Sequence, residues 1–255
     1  MAKSAPGKHY RTGITLTELF DMFPTDAAAE AWFAAQHLKG ISSMKPHRDL
    51  GVTQSTAWFM LHRIREAFAQ APDTLFAGPV EVDETYVGGK AKNIALRDRK
   101  RRITGRGGAD KAIVVGVLDR PTGQVVAGPV HDTTSRTLAG IVHSVTQDGA
   151  QVFSDEHRSY KPLASLGYCH EAVMHSAAEY VRGDIHTSTI ESLWSMFKRG
   201  YIGTYHHMSE AHLARCIDEF TGRHNVREMG TETQMETTVT DMAGKRLRYD
   251  DLIAA

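Results

Sequence analysis

Apolar and polar positions along the chain change period twice, and the changes divide it. Residues 25–40 begin at Thr25 after Pro24, run through an alanine-rich stretch that favours helix, and stop at Gly40. Residues 41–70 read as two helices around a tight turn at Gly51-Val52. Pro46 fits the first of them only in its opening turn, with Ser42 or Ser43 as the cap. Ala71-Pro72-Asp73 closes this unit and marks a boundary. From Gly78 the period shortens to two. Residues 79–89 (PVEVDETYVGG) alternate as a strand does, and 112–119 (AIVVGVLD) and 123–130 (GQVVAGPV) read as a strand pair around a Pro-Thr-Gly turn. A helix over 134–147 follows, then a strand over 149–156 (GAQVFSDE) running into a loop, and a further strand over 168–175. The helical period returns near Thr187 in IHTSTIESLWSMFKRG and again over 209–225, where Leu213, Ala214, Ile217 and Phe220 share a face. From Arg227 few apolar positions are periodic.

Strand, hairpin, helix, strand and then helices is a mixed α/β order, suited to a central sheet with helices packed against it. The expected organisation is an arm and helix over 1–40, a helical pair over 41–72, an α/β domain over 78–226 and a tail over 227–255.

Composition narrows the picture modestly. Apolar residues at 41% and charged residues at 24% of 255 are ordinary for a globular protein with a sizeable core. No apolar run approaches the roughly 20 residues of a membrane span, and the first residues lack a signal-peptide stretch, so the cytoplasm is the expected location. Two cysteines, Cys169 and Cys216, belong to no CxxC pair and are expected to be packing residues. Thirty basic and thirty acidic side chains cancel, so any case for nucleic acid rests on where charge sits. It is concentrated in residues 90–111, where nine basic side chains, among them Arg99, Lys100, Arg101, Arg102 and Arg106, face only Asp98 and Asp110. A basic run can be an ordinary solvated surface. This one directly follows a strand and contains Gly105, Gly107 and Gly108, which favours phosphate contact without sequence preference.

The histidines offer less. His170 with His175, and His206 with His207, lack the i, i+4 spacing of a helical zinc site. His186 and His206 are candidates for a supporting role. The helical pair around Gly51 reads either as a helix-turn-helix or as an ordinary hairpin packed on the domain that follows. In the first case Thr53, Gln54 and Ser55 open the recognition helix and reach base edges.

Three acids stand out by placement. Asp83 lies inside a strand beside Val82. Asp155 follows the apolar strand end Val152-Phe153. Glu191 borders the helix stripe Ile190, Leu193, Trp194 and Phe197, and Lys198 lies two helical turns on, facing the same way. Hard divalent cations take a few carboxylates with water and substrate phosphate, and a pair of them serves phosphoryl transfer. Each acid alone is more often a capping or surface residue. Asp132 and Glu156 are nearby acids with either a supporting part or none.

The segments EVDETYVGG, VFSDEHRSY, HTSTIESLWSMFKRGYIGTYHHMS and HLARCIDEFTGRHNVRE resemble the catalytic domain of DDE-type transposases of bacterial insertion sequences, the ISXO-like group. The resemblance covers roughly residues 78–228 and continues into the helix pair. It implies a ribonuclease H-like fold in which Asp83, Asp155 and Glu191 hold Mg2+ or Mn2+, Lys198 assists, and Lys198 and Arg199 contact DNA. The 35 residues between Asp155 and Glu191 match the spacing common in that superfamily. It also implies cleavage at transposon ends, attack of the freed 3′-hydroxyl on target DNA, and a homo-oligomer assembled on double-stranded DNA. The rivals are a catalytically silent, transposon-derived DNA-binding protein and a general ribonuclease H-like nuclease. One departure is plain: members of this group usually carry an N-terminal zinc ribbon with paired cysteines. Here FPTDAAAEAWFAAQ, resembling the part before it, joins LKGISSMKPHRDLGV, resembling the part after it, at about Gln36-His37. No structural zinc is therefore expected.

Overall fold

The computed structural model describes residues 40–69, 74–89, 111–173 and 186–254. The helix expected over 25–40 up to its closing Gly40, the boundary at 71–73, the basic stretch as far as Asp110, and the end of the strand expected to reach His175 lie outside them.

Two helices come first, α1 (Met44–Asp49) and α2 (Gln54–Phe68). Gly51 at φ 66° lets the chain reverse between them. Pro46 falls in the first turn of α1, as the pattern requires. Ser43 holds the capping position, but its side chain makes no cap bond and instead accepts from Gln54 Nε2 at 2.8 Å. Thr53 caps α2, its Oγ1 accepting from the Thr56 amide at 3.1 Å.

Five strands then form one sheet: β1 (Val80–Val87), β2 (Ala112–Asp119), β3 (Val125–Val130), β4 (Gln151–Ser154) and β5 (Cys169–Ala172), in the order β3-β2-β1-β4-β5. The first three are antiparallel neighbours, while β4 runs parallel to β1 and to β5. Parallel neighbours need crossovers. These are α3 (Ser135–Val145) between β3 and β4, and a 3-10 helix (Arg158–Leu166) between β4 and β5. Beyond the sheet come α4 (Ser188–Gly200), a π-helical turn (Tyr201–Tyr205), α5 (Glu210–Asn225), α6 (Thr231–Met242) and α7 (Tyr249–Ile253).

The period-two pattern of β1 becomes two cores. Val80 and Val82 join Leu138 and Val142 of α3 and Tyr160 and Leu163 of the 3-10 helix on one face. Val87 joins Ile190, Leu193 and Phe197 of α4 and Ile217 of α5 on the other. Close seating of α4 depends on Gly116, whose added Cβ would stand 2.7 Å from the Trp194 ring. A mixed sheet with helices on both faces is the α/β, ribonuclease H-like arrangement expected.

The helical unit is not a bystander. Helix α2 packs against α5 and α6, and its inner side is polar as well as apolar. Arg65 Nε meets Glu219 Oε2 at 2.8 Å with both side chains buried, and Arg223 joins Glu219 at 3.0 Å. Burial alone would raise the Glu219 pKa, but Arg65 and Arg223 hold it below the usual carboxylate range. Lys245 Nζ bonds the carbonyls of Glu66, Ala67 and Ala69, closing the C-terminal end of α2. The tail, poor in periodic apolar positions, is nonetheless helical over α6 and α7, and Tyr249 of α7 meets Trp58 and Phe59 edge to face. Cys216 is buried as expected, whereas Cys169, at the sheet edge, is exposed. Among the described residues no helix is long and apolar enough to cross a membrane.

Candidate active site

Strand β1 outruns its parallel partner. Val80 pairs with Val152 and Glu81 with Phe153, and there the β1–β4 ladder ends. The chain leaves β4 after Ser154, and Asp155 Oδ1 accepts from the His157 amide at 3.0 Å, turning the chain away from the sheet. Beyond that point β1 runs on to Val87 without β4, past the carboxyl end of β4, the place where α/β sheets usually build sites. Asp83 follows Glu81 by two residues on the face of β1 that α4 covers, and Asp155 follows Phe153, the register partner of Glu81, by two residues in the chain.

Asp83 is half-buried. Its carboxyl is pushed up to about 8, by burial first and then by the negative charges of Glu84, Asp155 and Glu191. Four carboxylates thus act on one neighbourhood. Glu84 points to the opposite face, where Tyr160 donates its hydroxyl to Glu84 Oε2 at 2.7 Å. Burial and Glu84 keep that phenol protonated far above its ordinary range. Glu191 lies in the first turn of α4, exposed, and its Oε1 accepts from the Thr187 hydroxyl at 2.8 Å.

The structure therefore brings Asp83, Asp155 and Glu191 into one electrostatic neighbourhood. Among the described residues, however, no three His, Cys, Asp or Glu side chains stand close enough to hold a metal ion as they are. The donor set is all carboxylate, without thiol or imidazole, which fits a hard cation such as Mg2+ or Mn2+. The excess negative charge felt by Asp83 is what a divalent cation would neutralise.

Lys198 is exposed on α4, two turns beyond Glu191. It lines a groove of about 870 Å³ with Tyr86, Lys111, Tyr201, Ile202 and His206. His206 holds an unusual φ of 60° there. Arg199 is exposed beside it. Thr53, Gln54 and Ser55 are exposed at the start of α2, on an element distinct from the carboxylates, with Thr53 and Gln54 also bonded locally as described. Arg99, Lys100, Arg101, Arg102 and Arg106 lie outside the described residues. Asp132 is exposed and fastens the start of α3, accepting from the Thr134 amide at 2.9 Å and the Thr137 hydroxyl at 2.6 Å. Glu156 is exposed.

One residue that sequence reasoning missed is Glu81. Its side chain is fully buried, yet it accepts from Arg120 Nε at 2.8 Å and from the amides of Thr189 and Ile190 at 3.0 and 2.9 Å. The alternation in EVDET held the signal, since it sets Glu81 two positions before Asp83 on the same face.

Comparison with known proteins agrees with this architecture. A model of the ISXO2-like transposase domain matches residues 75–225, from just before β1 to the end of α5. An uncharacterized protein in transposable element ISH50 of Halobacterium salinarum is 29% identical over 226 residues, covering 83% of this chain and 76% of that protein. The matched domain contains the whole sheet, all three acids and the basic stretch: the chain belongs to the family of ISXO2-like transposases.

Proposed function

We propose that the chain is a DDE transposase that cleaves DNA at transposon ends and joins the freed 3′-hydroxyl to target DNA. The observation that supports this reading is the end of the β1–β4 ladder at Glu81 and Phe153, two residues short of Asp83 and Asp155, with Glu191 in the first turn of the helix whose start Glu81 caps, in a chain of a transposase family. Asp83, Asp155 and Glu191 would hold Mg2+ or Mn2+, which when bound activates the attacking oxygen and stabilises the leaving one. The chain's own groups do the rest. Lys198, two turns along α4, offers a point charge to a DNA phosphate at the groove. Lys111 and the basic stretch before it add affinity without sequence preference. The exposed first turn of α2 presents Thr53, Gln54 and Ser55 to base edges, with α2 held on the catalytic domain through Arg65 and Glu219. Double-stranded DNA is the partner, and two ends joined in one event call for a homo-oligomer on DNA.

One observation favours a rival, a silent DNA-binding descendant: no three ligating side chains are gathered in place among the described residues. A single assay separates the readings. The purified chain is incubated with duplexes bearing the element's own ends, a target plasmid, and Mg2+ or Mn2+. A transposase yields nicked ends and joined products, a general nuclease yields cleavage alone, and a silent protein yields neither. Asp83→Asn is expected to lose both products and to bind DNA within about twofold of the unmodified chain, since the carboxylate serves chemistry and phosphate contacts carry affinity. Persistent joining by Asp83→Asn would sink the assignment.

A further inference from the structure

A helix start leaves several backbone amides without partners, and the usual remedy is a side chain of the capping residue. At α4 that remedy is absent. Thr187 holds the capping position but makes no cap bond, and its hydroxyl donates to Glu191 Oε1 at 2.8 Å instead. The amides of Thr189 and Ile190 go to Glu81 Oε2 of β1, at 3.0 and 2.9 Å. A strand carboxylate, fully buried, thus caps a helix on another part of the chain. Its other oxygen accepts from Arg120 Nε at 2.8 Å, and the His186 ring nitrogen Nδ1 lies 3.3 Å from it.

Arg120 extends the link. It follows the last residue of β2, its Nη2 donates to the His186 carbonyl at 2.6 Å, and its guanidinium lies 4.3 Å above the Phe153 ring. Phe153 is the register partner of Glu81 on β4. One ion pair therefore touches all three elements that carry the candidate carboxylates. Glu81 stands two residues before Asp83, Phe153 two before Asp155, and the Thr189–Ile190 amides immediately before Glu191.

Resting on the reading of Asp83, Asp155 and Glu191 given above, we infer that Glu81 and Arg120 are positioning residues that fix the separation of β1, β4 and α4, and so the geometry of the carboxylate site. They lie one pleat behind it and touch neither substrate nor reacting atoms. Stability alone is a weak reason for such a pair, because well-packed apolar residues can replace a buried ion pair at little or no cost. Geometry is a better one, since supporting contacts behind metal ligands are worth about 10- to 100-fold in metal affinity or activity.

The experiment compares the unmodified chain with Glu81→Gln, Arg120→Lys and Asp83→Asn. Glu81→Gln keeps the shape and removes the charge. Arg120→Lys keeps the charge and removes the planar fork that reaches His186 while stacking on Phe153. Circular dichroism and thermal unfolding report folding, fluorescence anisotropy reports DNA binding, calorimetry with Mn2+ alone reports metal affinity, and single-turnover assays report end cleavage. Both positioning variants are expected to fold and to bind DNA within about twofold, while cleavage and Mn2+ affinity each fall about 10- to 100-fold. A merely structural role would leave Mn2+ affinity in the folded protein unmoved. Folded Glu81→Gln with unchanged cleavage and Mn2+ affinity overturns the inference. Should Glu81→Gln not fold, Arg120→Lys decides by the same criteria, and if neither folds the pair holds the fold and the inference falls. An inactive Asp83→Asn beside a fully active Glu81→Gln rejects this inference alone, whereas no metal-dependent cleavage by the unmodified chain rejects the reading beneath it.

Discussion

Strand β1 carries three carboxylates, and each meets its surroundings differently. Glu81 is fully buried and saturated by an arginine and two amides, Glu84 takes a phenol hydroxyl, and Asp83 faces other carboxylates. An acid among like charges is costly unless a cation relieves it, which is why Asp83 rather than Glu81 is the candidate ligand. Histidines show the complementary case. Burial, then the charge of Arg65, pushes His62 down to about 3; burial, then Arg227, pushes His224 down to about 4. Both rings are neutral in the folded chain, and their unfolded values lie near 6.5. The unfolded chain therefore binds protons first as pH falls. The stability from these neutral rings is full above pH 6.5 and is lost as the pH drops towards the folded values. Thermal unfolding followed between about pH 7 and pH 4 is expected to show a falling midpoint, each group contributing a slope near 1.4 kcal/mol per pH unit. His62→Gln and His224→Gln together should flatten the fall. Curves of equal steepness for the variant and the unmodified chain would count against it.

At the scale of elements, the strands and long helices were legible because each has one clear period and one clear burial face. The stripe Ile190, Leu193, Trp194, Phe197 is buried as read. What the sequence did not reveal depends on distant partners. The pairing of β1 with β4, which ends at Glu81 and Phe153, two residues short of Asp83 and Asp155, joins strands far apart in sequence and leaves no local mark. The capping of α4 by Glu81 is likewise invisible at α4 itself, where Thr187 looks like an ordinary cap. Helix α6, with its many threonines, has weak intrinsic helix preference and is held by packing on α2. The inner side of α2 buries Arg65 and His62, and residue type alone gives no sign of that. The Arg65–Glu219 pair offers a test of that join. Glu219→Gln leaves Arg65 buried without its charge partner, a loss of about 3–5 kcal/mol in such settings. Chemical denaturation should show it, with near-normal stability of the variant as the contrary result. A separate expectation concerns the basic stretch. Neutralising Arg99, Lys100, Arg101 and Arg102 should weaken binding equally on all DNA sequences and lower the salt dependence of affinity, because each phosphate contact releases counterions. An unaltered salt slope would show that these side chains do not meet phosphate.

The whole molecule has no net charge, and in the reading proposed above local groups would hold DNA: Lys198 and Lys111 on the groove, the basic stretch before Lys111, and the exposed first turn of α2. In that reading base recognition falls to α2, since lysine and arginine on phosphate carry no sequence information. The group this chain resembles usually adds a zinc ribbon before the helix-turn-helix, and here the flanking segments meet at about Gln36-His37, outside the described residues, with no cysteine before Cys169. A ribbon is a folding unit around its own metal, so its loss as a block need not disturb neighbours that have their own cores. Helix α2 keeps its packing through Arg65, Glu219 and Lys245, and every candidate catalytic side chain lies downstream of the junction. Catalytic chemistry should therefore survive where recognition of the element's ends suffers. The purified chain is expected to contain no structural zinc, to bind terminal-repeat and unrelated duplexes with similar affinity, and to join the element's own ends inefficiently. Elemental analysis finding about one zinc per chain, the content of a structural site, would contradict the first expectation. Competition binding at physiological salt checks the second: a preference of about 1,000-fold or more for terminal repeats, typical of specific readers, would show that α2 and the remaining contacts suffice without a ribbon.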